Sequence, residues 1–264
     1  MPVITTISTQ KKVGFYNIFL DGQYAFSVTQ DTLVKFNLHK GQELSTTDLA
    51  QINATNDFFK LYTKALNYLS YQLRSTKEVY LYLLKENPPE NLCIKVIQTL
   101  TTKNLLNDTL YAQSFVRTMA KTSDKGPSVI KTKLRQKGIL ENDITNALTE
   151  FSSTMQLQNA TKLAHKLAHK YQNQNHQIKL QKIKQTLIKK GFSAQISQQA
   201  LDELNLTIDE ENETSLLTKL ALKTWQKNQR FAYFERYQKT KQFLYRKGFN
   251  LSDIERCLDE ITQQ

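Results

Sequence analysis

The sequence predicts a mainly α fold in which tandem three-helix repeats form an elongated array, preceded by a small N-terminal β-containing domain. One helical phrase, with Lys, Leu, Lys and Gly at identical spacings, occurs three times, at residues 131–138, 184–191 and 241–248. The phrases recur about every 55 residues, a period typical of stacked supersecondary units. Patterns typical of strands occur only before residue 31, so the rest of the chain is expected to be helical.

The strands are predicted on both sides of Asp21-Gly22, a dipeptide that favours a two-residue hairpin turn. Apolar or aromatic side chains recur at every second position on each arm, and they are Tyr16, Ile18 and Leu20 before the turn and Tyr24, Phe26 and Val28 after it. This period of two is typical of an antiparallel sheet with one buried face. The β-branched residues 3–7 are expected to form a further strand.

We place the N-terminal domain at residues 1–60 and expect short helices after its strands. Thr46 or Thr47 is expected to cap one of these helices. Because an isolated hairpin is only marginally stable, the sheet is predicted to pack on Phe58, Phe59 or the first helices of the array.

Two leucine positions are common to the three phrases and are predicted to form the repeat core. One Leu precedes each phrase-ending Gly by four residues and another follows it by ten. These leucines are Leu134, Leu187 and Leu244 before the Gly, and Leu148, Leu201 and Leu258 after it. A weaker fourth copy lies upstream, with Asn87 in the Gly position, Leu83 before it and Ile97 after it.

The Lys-Gly pair at the end of each phrase predicts the end of a helix. Gly closes a helix by adopting a left-handed conformation, and a Lys in the last turn interacts favourably with the helix dipole. We therefore favour a structural role over a binding role for Lys137, Lys190 and Lys247. With a tight turn and a further helix after each Gly, the pattern divides the array into module 1 (61–106), module 2 (107–151), module 3 (152–204) and module 4 (205–264).

The positive charge of the chain is concentrated in module 3. The formal net charge is +12, and residues 151–200 contain eight Lys and no Asp or Glu. Such a segment repels itself and is expected to face a polyanion or an acidic protein surface, although a merely solvated basic face remains the alternative.

The basic residues of module 3 are predicted to lie on one face of a helix. Apolar residues follow helical spacing from Ala160 to Tyr171, and the cationic side chains occupy another face of the same helix. The cationic set is Lys162, His165, Lys166, His169 and Lys170. The two His residues are four apart, but the HExxH glutamate and a third ligand are missing, so we expect no metal site.

Sequence patterns of catalysis are absent from the chain. The seven Gly are scattered without a GxxxxGK[ST] or GxGxxG loop, and GxSxG does not occur. We therefore expect a protein that is not an enzyme and holds no cofactor.

Cys93 and Cys257 are isolated and are predicted to be buried small hydrophobes. No apolar run is long enough to span a membrane and no secretory signal is recognisable, so a cytoplasmic location is expected.

Several aromatic residues of module 4 allow two interpretations. Phe231, Tyr233, Phe234 and Tyr237 could stack on nucleic-acid bases, but aromatic residues at helical spacing usually belong to the core, and we expect them there.

Four segments of the array share an ordered pattern of residues with one protein family. The segments are LRSTKEV (73–79), NLLNDTLYAQSFVR (104–117), DKGPSVIKTKLRQKGI (124–139) and QFLYRKGF (242–249). The most specific part is the ordered set Tyr111-Ala112, Phe115, Arg117, Lys125-Gly126-Pro127, Ile130, Leu134 and Lys137-Gly138-Ile139. On these residues the array resembles the RecX regulators of the bacterial recombinase RecA. The likeness covers residues 61–264, and many family members have three modules and little before them.

The resemblance implies a regulator that is not itself an enzyme. It implies a crescent of three-helix modules that lies in the groove of the RecA filament on single-stranded DNA. There the protein is expected to block filament growth and to dampen the recombinase, ATPase and coprotease activities. For this chain the resemblance implies a role in homologous recombination, DNA repair and the SOS response, with the RecA filament and single-stranded DNA as partners.

Basic residues in three of the modules are candidate contacts to the filament or its DNA. They are Arg117, Lys121, Lys125, Lys131, Arg135, Lys162, Lys166, Lys170, Lys189 and Arg246. Lys131 and Arg135 are expected side by side and turned toward water, because Ile130 and Leu134 point inward. We expect a monomer. The alternatives are a protein that binds DNA directly through its three-helix modules and a scaffold whose charge only aids solubility.

Overall fold

The computed structural model describes residues 1 to 262, which form a small three-stranded sheet followed by helices. The strands are β1 (Ile4–Thr9), β2 (Phe15–Leu20) and β3 (Gln23–Thr29). The first helices are α1 (Gln30–Lys35), α2 (Thr46–Tyr71), α3 (Thr76–Leu84), α4 (Glu90–Thr102), α5 (Asp108–Thr122), α6 (Pro127–Gln136) and α7 (Glu141–Leu148). The remaining helices are α8 (Ser153–Lys170), α9 (His176–Lys189), α10 (Ala194–Leu204), α11 (Glu210–Lys227), α12 (Tyr233–Arg246) and α13 (Leu251–Thr262). The mainly helical class and the tandem three-helix organisation are confirmed.

The predicted hairpin is confirmed. Strands β1, β2 and β3 pair antiparallel in that order, and the β2–β3 turn consists of Asp21 (φ 47°) and Gly22 (φ 83°). Two successive residues with positive φ match the right-handed twist of the flanking strands. On the inner face Ile18 and Val28 are fully buried, whereas Tyr24 at the turn is exposed.

Helix α2 differs from the predicted short helices. It runs without interruption through residue 60, because its sequence contains neither Gly nor Pro. Its N-cap is Ser45, not Thr46 or Thr47, since Ser45 and Asp48 form a reciprocal capping box. The predicted domain limit at 60/61 therefore falls inside one continuous helix.

The sheet packs on the first half of α2. Leu49 and Ile52 contact the buried face of the sheet. The buried Asn56 accepts a hydrogen bond from the Thr29 backbone amide (2.9 Å) and donates one to the Ser27 carbonyl (2.6 Å). Phe58 and Phe59, which were among the alternatives for this contact, instead pack in the core formed by α2, α3 and α4. Both rings lie on the part of α2 that packs against α3 and α4, so they belong to the core of module 1.

The repeat positions have the predicted conformations. Gly138, Gly191 and Gly248 have φ of 81°, 97° and 90°, and Asn87 takes their place in module 1 with φ 50°. Asn is among the few residues with a side chain that adopt this left-handed region readily. The preceding leucines, Leu83, Leu134, Leu187 and Leu244, are all fully buried. Of the residues that follow by ten, Leu201 and Leu258 are buried, whereas Ile97 and Leu148 are half-buried.

The chain divides into two compact units. Unit 1 contains Met1–Tyr111 together with the short segment Lys137–Ile139. Unit 2 contains Ala112–Gln136 and the described residues from Leu140 onward. The segment Lys137–Ile139 belongs to unit 1 because it is hydrogen-bonded to the start of α3.

Candidate polyanion-binding surface

Helix α8 separates apolar and cationic side chains as predicted. Its apolar residues Ala160, Leu163, Ala164, Leu167 and Ala168 are buried, and the helix packs on α9 and α10. Lys162, His165, Lys166, His169 and Lys170 are all exposed. Lys162 and Lys170 are eight residues apart, which corresponds to about 12 Å along the helix axis. We call these five residues the α8 basic face.

The lysines of module 3 are almost all without a carboxylate partner. In the described part of the chain, Lys190 forms an ion pair with Asp124, and none of the other seven lysines between 151 and 200 has a carboxylate within 4.0 Å. Lys182 and Lys184 donate instead to the neutral side chains of Gln174 (2.8 Å) and Gln198 (2.7 Å). Apart from Lys190, these lysines therefore form no ion pair and are available to an external anion.

Most basic candidates of module 2 are compensated by acidic neighbours. Arg117 lies 3.3 Å from Glu150, and Lys125 lies 3.7 Å from Asp124. Such exposed pairs are weak in water, but each carboxylate lowers the local positive potential. These two basic residues are poorer anion sites than their sequence positions suggested.

Lys131 and Arg135 lie side by side as predicted, with Glu141 between them. The Glu141 carboxylate is 3.2 Å from Lys131 Nζ and accepts two hydrogen bonds from the Arg135 guanidinium. Hydrogen bonds from Arg135 first, and from Lys131 second, lower the pKa of Glu141 to about 2. The cluster therefore carries one net positive charge near neutral pH, not two.

The remaining candidates, Lys121, Lys189 and Arg246, are exposed. Among the described residues, none of the three has a carboxylate within 4.0 Å. The role of all ten basic candidates in binding stays a prediction.

Lys137 has a structural role that the sequence revealed only in part. It does end a helix phrase, but its ammonium donates to Glu78 in the first turn of α3 (2.6 Å), and its carbonyl accepts from Ser75 Oγ (2.8 Å). Burial raises the Glu78 pKa, but hydrogen bonds from Lys137 and from the Ser75 backbone amide outweigh it, so this pKa is lowered. The Lys-Gly end of one phrase is thus attached to the N-terminus of the preceding module's middle helix.

The same connection recurs at the start of α6. Lys190 pairs with Asp124, and the Lys190 carbonyl accepts a hydrogen bond from the Gly126 amide (2.8 Å). The Gly191 carbonyl accepts from the Ser128 amide (3.1 Å). The hydrogen bond from Lys190 is the largest cause of the lowered Asp124 pKa. We call the Lys137–Glu78 and Lys190–Asp124 connections the repeat clasps.

The third junction uses a different carboxylate. Gly248 lies against Asn175 and Ile178 at the start of α9. Here Glu213 of α11 accepts hydrogen bonds from Asn175 Nδ2 and from the His176 amide, both at 2.6 Å. In the sequence Glu213 belongs to the acidic run at 209–213, a composition typical of a solvated segment. Because its partners lie 37 and 38 positions away along the chain, no local pattern indicated this role.

The expectation that the module 4 aromatic residues belong to the core is wrong for two of them. Tyr233 and Phe234 are 62% and 73% exposed, whereas Tyr237 packs on the module core. The first turn of α12 follows a bend after α11, and this placement leaves both rings outside the helix packing.

Three further properties bear on function. The described residues contain no group of three or more His, Cys, Asp or Glu that could hold a metal ion. Within residues 1 to 262, no helix has the length and apolarity that crossing a membrane would require. Cys93 and Cys257 are both buried as predicted, and burial raises the pKa of each thiol.

Family models match nearly the whole chain. Residues 2–45 match the N-terminal domain of regulatory protein RecX, 62–100 its first three-helix domain, and 107–148 its second. The model of the third three-helix domain matches twice, at 154–201 and again at 210–258. Modules 3 and 4 therefore both match the third three-helix domain of the family.

Curated relatives and solved structures agree with these matches. The chain is 42% identical over 259 residues to the regulatory protein RecX of Limosilactobacillus reuteri, and the match covers 98% of each chain. It is 41% identical over 261 residues to the Bacillus subtilis protein of the same name, covering 98% of this chain and 99% of the relative.

Two solved structures are similar to the chain. A crystal structure of regulatory protein RecX matches with a TM-score of 0.68 at 41% identity, over 76% of this chain and 100% of the other. RecX from Lactobacillus salivarius matches with a TM-score of 0.55 at 44% identity, over 58% of this chain and 99% of the other. The chain therefore belongs to the RecX family of regulatory proteins.

Proposed function

We propose that this protein binds the recombinase filament on single-stranded DNA and inhibits its assembly, ATP hydrolysis, strand exchange and coprotease activity. It acts in the cytoplasm as a monomer and is not itself an enzyme. Membership of a family of regulatory proteins supports the regulatory role. The partner is a polymer of protein and nucleic acid, so affinity comes from many weak contacts summed over several modules.

The observation that carries this proposal is the α8 basic face. Five cationic or titratable side chains lie exposed along one helix face in a segment that contains no acidic residue. An acidic protein surface or a phosphate backbone would supply the missing counter-charge. Lys121, Lys189 and Arg246 add unpaired charge, whereas the Lys131–Arg135 cluster contributes less because Glu141 compensates it.

The test compares the wild type with a variant in which Lys162, Lys166 and Lys170 are changed to Gln. Sub-stoichiometric wild type should inhibit ATP hydrolysis and strand exchange by the cognate recombinase, and the variant should need a several-fold higher concentration. The matched control changes the exposed residues Lys11, Lys40 and Lys85 to Gln, which removes the same charge elsewhere. Equal inhibition by all three proteins would refute the role of the α8 basic face, and no inhibition by the wild type would refute the proposed function.

Direct binding to DNA is the second candidate function, since unpaired lysines attract phosphates whether or not a recombinase is present. Affinity for naked single-stranded DNA is to be measured beside affinity for recombinase-coated DNA at the same salt concentration. Tighter binding to the coated DNA supports the filament regulator. Equal or tighter binding to naked DNA supports the direct binder.

A further inference from the structure

The charges of module 4 are separated along its sequence. Residues 219–247 contain nine Lys or Arg and one acidic residue, Glu235. The remaining acidic residues of the module lie at 209–213 and 253–260. Summed over the whole module these charges nearly cancel, so the net charge of the module does not reveal this second strongly basic region.

Exposed aromatic rings lie in the middle of this basic region. Trp225 at the end of α11 packs edge to face with Tyr233 of α12, with ring centroids 5.9 Å apart. The Arg236 guanidinium lies 4.0 Å from the Trp225 ring centroid and donates to the Trp225 carbonyl (2.8 Å). These contacts hold Trp225 and Tyr233 in fixed orientations while 62% of Tyr233 stays exposed.

A second group of cations surrounds Phe231 beside these rings. The Arg230 guanidinium and the Lys239 ammonium lie 4.9 and 4.5 Å from the Phe231 ring centroid. Phe234, at the start of the same helix, is 73% exposed. The region's one carboxylate, Glu235, pairs with Lys239 at 3.3 Å. We call Trp225, Phe231, Tyr233 and Phe234, with their cations Arg230, Arg236 and Lys239, the module 4 aromatic platform.

We propose that the module 4 aromatic platform binds single-stranded nucleic acid by stacking unpaired bases on its exposed rings. Every base has a π-face that stacks on an aromatic side chain, and adjacent cations bind the phosphates of the same strand. Two exposed rings beside Arg230 and Arg236, with Lys239 partly compensated by Glu235, match this requirement. A double helix would offer only phosphates because its bases are already stacked. The site is separate from the α8 basic face and does not depend on the recombinase.

Charge and geometry disfavour other occupants of the platform. A second copy of the chain would bring an equally basic surface against it, and like charges repel. A membrane surface requires a helix with a continuous exposed apolar face, but in α12 Leu244 is buried and Tyr237 and Phe243 pack on the module core. Single-stranded nucleic acid has negative phosphates for the cations and aromatic bases for the exposed rings.

The chain's single Trp provides a direct readout, because Trp225 lies in the platform itself. Titration with oligothymidylate of about 20 nucleotides, longer than one compact binding site, should quench its fluorescence. An abasic oligonucleotide of the same length carries the same phosphates without bases and should quench it far less. Equal responses to the two oligonucleotides, or no response to either, would overturn base stacking.

Variants then test the rings themselves by fluorescence anisotropy of labelled oligonucleotides. Phe234→Ala should weaken oligothymidylate binding about fivefold, and Tyr233→Ala with Phe234→Ala about thirtyfold, with unchanged binding of the abasic strand. The control is Tyr71→Ala, which removes a ring that is 85% exposed in unit 1 and should change neither affinity.

Unchanged oligothymidylate binding by both variants would overturn the proposal, as would an equal loss for both oligonucleotides. Phe234→Ala keeps the Trp225–Tyr233 contact, so it remains informative if the double variant unfolds by circular dichroism. Sedimentation of the wild type over a range of concentrations and binding to anionic phosphatidylserine vesicles test the other occupants. The assignment would be overturned if the ring variants abolished a dimer or a vesicle complex but bound oligothymidylate as tightly as the wild type. These assays contain no recombinase, so they fail independently of the proposed function.

Discussion

At the scale of single residues, Gly126 shows how a module junction constrains the sequence. A Cβ placed on this residue would overlap the backbone of Gly191 and Phe192, and the Gly126 amide donates to the Lys190 carbonyl. Unlike a flexible side chain, a hydrogen-bonded backbone cannot move aside. Two segments of main chain therefore touch here, and only glycine permits the contact.

We predict that Gly126→Ala destabilises the protein by about 2 kcal/mol, because overpacking against backbone forces both segments apart. Chemical denaturation of the two proteins measures the difference. Ser128→Ala is the control, since the exposed Ser128 side chain lies in the same turn and its backbone amide still donates to Gly191. A Gly126→Ala variant as stable as the control would contradict the backbone contact.

The backbone conformation of single residues was predictable from the sequence where a local rule applied. The hairpin turn at Asp21-Gly22 and the left-handed Asn87 follow from the backbone preferences of those residues. The cap of α2 was not settled by local rules, because Ser45, Thr46 and Thr47 all carry a suitable hydroxyl. Ser45 is the N-cap because the Asp48 carboxylate accepts a hydrogen bond from the Ser45 amide (2.9 Å).

At the scale of elements, the repeat clasps explain why the Lys-Gly phrase recurs. The Lys137 and Glu78 side chains are 30% and 23% exposed, less than a typical surface pair. The ammonium satisfies a carboxylate that also caps the start of α3, so one interaction joins the end of one helix to the beginning of another.

We predict that Glu78→Gln lowers the free energy of unfolding by about 1.5 kcal/mol near neutral pH, the usual contribution of a partly buried charged hydrogen bond. The folded-state pKa of Glu78 lies below its ordinary value of 4.5, so the contribution is complete above pH 4.5. It is lost as the pH falls through the lowered pKa. Denaturation of the wild type and the variant across this range measures the loss.

Two comparisons make this prediction specific. Glu86→Gln breaks the more exposed Lys64–Glu86 pair and should cost about 0.5 kcal/mol or less. A double-mutant cycle of Glu78→Gln with Lys137→Met should give a favourable coupling energy. Additive effects of the two substitutions would show that the ion pair does not stabilise the junction.

At the scale of the whole molecule, charge is distributed by region and not by module. The α8 basic face is uncompensated, module 2 is largely neutralised by Glu141, Glu150 and Asp124, and module 4 carries cations and carboxylates in separate segments. Binding to a polyanion should therefore depend on a few regions, and salt should weaken it strongly.

We predict that changing Lys162, Lys166 and Lys170 to Gln reduces the slope of log affinity against log salt by about 2 for single-stranded DNA. Each lysine that neutralises a phosphate releases counterions, and the three substitutions remove that release. Anisotropy titrations at several salt concentrations give the slope. The variant of Lys11, Lys40 and Lys85 should keep the wild-type slope, and the same decrease in both variants would indicate a general charge effect.

The sequence by itself determined the helical class, the hairpin, the repeat period and the two faces of α8. These features follow from periodicity and from the backbone preferences of Gly, Asn and Asp, which act over a few neighbouring residues. Tertiary structure alone decided which cations have partners, because Glu78, Asp124 and Glu141 meet their lysines and arginines across turns and module junctions. It also decided that Tyr233 and Phe234 are exposed, since burial depends on what packs against a helix and not on its own pattern.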